Sequence, residues 1–247
     1  MRLIAIPLSH YCERARWALE WGGLSFTEER HLPMFHLRPV RRAGGRHSTP
    51  VLVTRDGQCL TDSADIVRFA DAEGARPLYP KDPSIRENIE ELEAEIAARF
   101  GVETRRRAYY DLTPLKSLML RYGNQGVPAH QRFALRLGYR FAIARMCKAL
   151  KVDAEHIERG RATIDAMFAK IGEILADGRR YLFGDAFTAA DLTFAAMAAP
   201  ILGPPEYGVA LPGLSELPSS VREEVENYRS LPAGKFVLRL YRNDRRS

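Results

Sequence analysis

At 247 residues the chain is long for one compact domain and comfortable for a smaller domain followed by a larger one. Hydrophobic residues at 46% and charged residues at 28% are ordinary globular usage and exclude disorder of the whole chain. The formal charge of +6 is spread among acids, and the short clusters at Arg105 to Arg107 and at Arg242, Arg245 and Arg246 lack interleaved aromatics, so no nucleic-acid partner is expected.

Cys12, Cys59 and Cys147 are widely spaced, with neither a C-x-x-C nor a Cys/His cluster, which argues against a disulfide framework and a metal site. No secretory h-region and no apolar segment of membrane length stand out, so a reducing, cytoplasmic setting without a membrane partner is expected.

Leu3 to Leu8 is a short apolar run that suits a buried strand and stops at the turn-like Ser9-His10. A helix is expected to begin there, with Ala15, Trp17, Ala18, Leu19 and Trp21 at helical spacing and Gly22-Gly23 as its stop. Leu24 to Leu32 reads as a second strand, followed by a basic segment that Pro33, Pro39 and Gly44-Gly45 make irregular. Pro50 to Val53, a turn at Asp56-Gly57 and Cys59 to Thr61 spell a β-hairpin. Asp62-Ser63 then opens an amphipathic helix through Ile66, Val67, Phe69 and Ala70. Strand, helix, strand, hairpin and helix make an α/β unit with one crossover.

Gly74, Pro77, Pro80 and Pro83 mark a linker over residues 73 to 83. Beyond it the pattern is helical, with periodic segments at Ile85 to Phe100, Phe133 to Leu150 and Ile157 to Leu175, so an all-α domain is expected. Thr188 and Asp191 have capping-box spacing ahead of the apolar run Leu192 to Ala199. In that box the Thr188 hydroxyl accepts from the Asp191 N–H, and the Asp191 carboxylate reaches back to the Thr188 N–H. Pro200, Pro204, Pro205, Pro212 and Pro218 predict a mostly non-helical stretch before two closing helices.

The strand followed by Ser9-His10-Tyr11-Cys12-Glu13-Arg14-Ala15-Arg16, the strand entry Ser48-Thr49-Pro50-Val51-Leu52, the pair Asp62-Ser63 and the Thr188-to-Asp191 cap occur in that order. Together they resemble a glutathione S-transferase. The resemblance implies an α/β thioredoxin-like domain over residues 1–80 that binds glutathione, an all-helical domain over 84–247, and a homodimer that conjugates glutathione to a small hydrophobic electrophile, as in detoxification.

By the same resemblance Ser9 activates the thiol. A hydroxyl beside the positive end of a helix stabilises thiolate over thiol, although an N-cap role alone would also explain a serine there. Tyr11 ranks second as a donor. Cys12 opens the alternative of a glutathione-dependent thiol-disulfide oxidoreductase, but it matches the second and more sheltered position of a C-x-x-C opening whose first position is Ser9. Pro50 resembles the cis proline of thioredoxin-like folds, which implies that Thr49 binds the cysteinyl part through its N–H and C=O. Asp62 and Ser63 match the pair that holds the γ-glutamyl end, with simple capping as the other reading. Among His36, Arg38, Arg46 and His47, Arg46 is preferred for the glycyl carboxylate. Tyr109, Tyr110 and Phe236 are aromatic candidates for the electrophile pocket, and Arg14 and Arg16 are expected to form salt bridges along or beneath the first helix. A third reading is an interaction module that keeps the fold without a working thiol site.

Overall fold

The computed structural model describes residues 1–245, so Arg246 of the basic tail lies outside the described residues. The first part runs β1 (Arg2–Ala5), α1 (His10–Trp21), β2 (Thr27–Arg30), α2 (Leu37–Arg42), β3 (Val51–Val53), β4 (Cys59–Leu60) and α3 (Ser63–Glu73). Its single sheet has the order β2-β1-β3-β4, with β1 parallel to β2 and antiparallel to β3. Joining the parallel pair requires a crossover, which α1 supplies, while β3 and β4 form the expected hairpin.

One strand is shorter than its apolar run predicts, and one helix lies in a segment that reads as irregular. The first strand stops at Ala5, two residues before Pro7, which has no N–H for a ladder. The segment read as irregular contains α2: Pro39 occupies its first turn, where the missing N–H has no intrahelical acceptor to satisfy.

The rest is helical: α4 (Pro83–Glu95), a π-helical turn at Ile96–Phe100, α5 (Gly101–Leu112), α6 (Lys116–Gly123), α7 (Ala129–Leu150), α8 (Ala154–Ile174), α9 (Ala189–Leu202), α10 (Ser219–Ser230) and α11 (Pro232–Asp244). A small mixed α/β part followed by a helical part is the fold class that the sequence pattern implies. Pro200 departs from expectation, because it lies in the last turn of α9. That helix is the axis of the second part: every residue of it except Pro200 is buried, and it packs on α1, α4, α5 and α11.

Its capping box is present. The Thr188 N–H donates to Asp191 Oδ2 at 2.8 Å, and the Leu182 N–H donates to Oδ1 at 2.8 Å. The Thr188 hydroxyl also donates to Oδ2, at 2.7 Å, a bond that the sequence reading did not include. Burial nevertheless holds the Asp191 carboxyl up at about 6, against the pull of these donors.

The two parts meet along α1, whose His10, Glu13, Arg14 and Arg16 are buried with its apolar residues. Arg14 donates to Glu93 Oε1 on α4 at 2.6 Å and to Ser63 Oγ at 3.3 Å. Glu93 also accepts from the hydroxyls of Tyr79 at 2.6 Å and Thr193 at 2.9 Å. Arg16 bonds to Glu13 at 3.0 Å and Glu28 at 2.7 Å. Glu13 in turn accepts from Arg245 at 2.7 Å, and Arg245 also pairs with Glu20.

The π turn completes this seam. The Gly101 N–H bonds to Ile96 O, which releases Ala97 O from the helical ladder to accept the Tyr11 hydroxyl at 2.8 Å. A Cβ on Gly101 would stand 3.1 Å from that hydroxyl and 2.5 Å from the Met197 sulfur, so the close approach depends on glycine. One residue earlier in α1, His10 Nε2 donates to Gly101 O at 2.9 Å.

Removing the Thr188 hydroxyl should cost about 1 kcal/mol of unfolding free energy, the usual value of a cap. Asp191→Ala, which strands three buried donors, should cost about 3 kcal/mol or more. Denaturant titration of both variants measures the difference, and equal, small losses would contradict the assignment of the box to Asp191.

Burial and the Arg105 charge push His10 down from 6.5 to about 3. Between those values the unfolded chain binds a proton that the folded chain refuses, so the stability tied to neutral His10 is complete above pH 6.5 and is lost on acidification. Asp191 acts in the opposite sense, but only between 3.8 and about 6. His10→Gln, which can still donate to Gly101 O, should flatten the fall of melting temperature below pH 6.5; an unchanged slope would contradict a buried neutral imidazole.

Candidate functional site

A cleft of about 570 Å³ opens between the first part and the helices. Ser9, Tyr11, His47, Ser48 and Thr49 line it from one side, and Arg105, Tyr109, Leu118 and Leu214 from the other. Concave, mainly apolar space with a few convergent polar groups is the usual form of a small-molecule site.

Ser9 enters the cleft because it is the N-cap of α1: extended backbone at φ −72° and ψ 120° turns the chain into the helix, and Oγ accepts from the Cys12 N–H at 3.4 Å. The residues just before it are held firmly. Arg16 donates to Ile6 O at 3.3 Å and Pro7 O at 2.9 Å, and the Tyr207 hydroxyl donates to Leu8 O at 3.3 Å. A half-buried hydroxyl at the positive end of α1 favours an anion placed against it.

The other predicted residues divide into three groups. Thr49 lines the cleft, the Thr49–Pro50 peptide is cis, and Pro50 itself is buried behind it. Asp62 and Ser63 stand at the start of α3, outside the cleft lining. The Asp62 carboxylate is exposed and caps α3 through the Ala64 N–H at 2.8 Å, while the Ser63 hydroxyl is buried against Arg14. Asp62 is still near enough to act on the Tyr11 phenol, as are Arg105 and Arg14. Arg46 is exposed and outside the lining, whereas His36 and His47 are in it, joined by a 3.0 Å bond from His36 Nε2 to His47 O.

Tyr11 and Cys12 face different surroundings from Ser9. The Tyr11 hydroxyl is committed to Ala97 O, and burial raises its pKa. Cys12 is fully buried, its sulfur accepts from the Ile6 N–H at 3.4 Å, and burial pushes the thiol up. Of the aromatic candidates, Tyr109 lines the cleft, Tyr110 points to solvent, and Phe236 is packed in the core. Helical spacing alone could not separate these three environments.

Arg105 is a cleft residue that sequence reasoning passed over, because within the run Arg105 to Arg107 nothing local tells a paired arginine from an unpaired one. Among the described residues no group of His, Cys, Asp and Glu could hold a metal ion, and no helix is long and apolar enough to cross a membrane.

The model for the N-terminal domain of glutathione S-transferases matches residues 3–77, and that for the C-terminal domain matches residues 154–218. A comparison with curated proteins gives no match. Among solved structures, a glutathione S-transferase from Rhodospirillum rubrum F11 is 20% identical, with 98% of each chain covered and a TM-score of 0.59. One from Sinorhizobium meliloti 1021 is 18% identical over 96% of this chain and 91% of that one, with a TM-score of 0.60. One from Methylobacillus flagellatus KT, solved with glutathione bound, is 16% identical over 96% of this chain and 98% of that one, with a TM-score of 0.55. With both domain models matched in chain order on a fold shared over nearly the whole length, this chain belongs to the glutathione S-transferase family.

Proposed function

We propose that the chain is a glutathione transferase in which Ser9 stabilises the glutathione thiolate for attack on a small hydrophobic electrophile. The observation that carries this reading is the half-buried Ser9 hydroxyl at the N-terminus of α1, in the same cleft as Thr49. An N-terminal domain over residues 1–80 holds glutathione, and a helical domain over residues 84–247 supplies the wall against which the electrophile lies. Thr49 beside Pro50 takes the cysteinyl backbone: among the described residues neither its N–H nor its C=O makes a backbone hydrogen bond. Asp62 takes the γ-glutamyl ammonium, Ser63 and the start of α3 its carboxylate, and Arg46 the glycyl carboxylate, in each case through charge-assisted bonds. The M. flagellatus relative, solved with glutathione, supports the ligand. A cytoplasmic homodimer belongs to the same reading.

The oxidoreductase alternative would need a thiolate at Cys12. A fully buried thiol with a raised pKa is poorly suited to attack, which favours Ser9.

Ser9→Ala should lower the transfer rate by about ten- to a thousandfold, the loss expected from one well-placed donor, while costing only about 1 kcal/mol of stability as the lost cap of α1. Steady-state assay with an activated aryl halide measures it. Full activity in Ser9→Ala together with loss in Cys12→Ala would transfer the role to Cys12.

A further inference from the structure

Three consecutive arginines on α5 have different surroundings. Arg106 pairs with Glu103 at 2.5 Å and donates to Leu150 O at 3.0 Å. Arg107 is held between Asp111 at 2.8 Å and Glu224 at 2.5 Å. Arg105 has no ion pair among the described residues, and its Nε is buried without a hydrogen-bond partner. It lines the same cleft as Ser9, with its guanidinium carbon 5.8 Å from the centre of the Tyr11 ring.

The groups around Arg105 leave its charge unbalanced. His10 is neutral, with its pKa down at about 3, and the Tyr11 and Tyr109 phenols are pushed up by burial, so none of them supplies an anion near neutral pH. The two carboxylates of the cleft, Asp111 and Glu224, are committed to Arg107. Arg145, exposed on α7 and also without an ion pair among the described residues, adds a second positive charge to the lining. Arg105 is half-buried with its Nε withdrawn from water and unpartnered, and an arriving carboxylate supplies the acceptor that this N–H lacks. Leu118, Met119, Ile201 and Leu214 add apolar surface to the same cleft.

We propose that Arg105 anchors a carboxylate on the second substrate, so that the acceptor is an amphipathic organic acid with an electrophilic carbon in its apolar body. This rests on the glutathione-transfer reading. A guanidinium presents a planar fork that matches a carboxylate through two parallel bonds, which fixes orientation as well as charge. Glutathione is the other anionic candidate, but its own carboxylates are assigned to the start of α3 and to Arg46. Arg105 comes from the opposite wall, on α5.

The test compares 4-chloro-3-nitrobenzoate with 4-chloro-3-nitrobenzamide. In either, the glutathione thiolate forms a C–S bond at the carbon bearing chlorine, the C–Cl electron pair leaves as chloride, and the thiol proton has passed to solvent. Taking the ratio of kcat/KM for acid and amide in each protein cancels their different intrinsic reactivity. Arg105→Gln should lower that ratio by about 10- to 100-fold, the effect of losing a charge-assisted pair, and Arg105→Lys should restore part of it. Calorimetric binding of 3-nitrobenzoate and 3-nitrobenzamide to the parent and to Arg105→Gln provides a second readout that needs no glutathione, and melting curves check folding.

A parent that binds the benzoate in preference to the amide, with the preference lost in Arg105→Gln, supports the anchor. If both electrophiles lose rate equally while the pKa of bound glutathione rises, Arg105 serves the thiolate and the proposal is overturned. An unchanged acid-to-amide ratio overturns it too, leaving glutathione transfer intact. A parent that binds no glutathione defeats the underlying reading instead.

Discussion

Buried charge on α1 is the constraint on which the rest of the molecule depends. Glu13, Arg14 and Arg16 are all at most 2% exposed, and each finds its partner in a different element: Glu93 on α4, Glu28 on β2, and Arg245 beyond α11. Leaving one such charge unpaired costs several kcal/mol, far more than an exposed ion pair contributes. A shift of α1 would strand several at once. The helix is therefore pinned in register with the sheet and with the helical part together, and Ser9, at its first turn, inherits that position.

The same network reaches the candidate site. Arg16 holds the carbonyls of Ile6 and Pro7 directly ahead of Ser9, and Arg14 touches Ser63, so two of the proposed glutathione contacts are braced from beneath by one helix. Tyr11 and His10, bonded to Ala97 and Gly101, tie the start of α1 to the π turn from which α5 and Arg105 continue. The positions of the hydroxyl and the cation across the cleft thus follow from one set of buried polar bonds.

What could be read from the sequence was local. Ser9, Asp62 and Thr188 announce themselves because capping chemistry operates within three residues, and the β-hairpin because its turn residues lie between its strands. The sheltered place of Cys12 was legible from its spacing behind Ser9, whereas the commitment of the Tyr11 hydroxyl and the isolation of Arg105 depend on a group 86 residues away or on the absence of any partner, which no spacing encodes. α2 was hidden for another reason: prolines and glycines on either side outweighed a six-residue helix whose own proline lies where it is tolerated. The π turn, a long-range adjustment to Tyr11, has no local signature at all.

The central claim is that this cleft binds glutathione and ionises its thiol. The direct measurement is the ultraviolet thiolate absorbance of glutathione in complex with the whole protein, followed against pH and paired with calorimetric titration of the same samples. The account predicts saturable binding and a bound thiol that ionises clearly below the ordinary value of about 8.5, with that depression reduced in Ser9→Ala. Absence of binding, or a bound thiol titrating at its ordinary value, would contradict it.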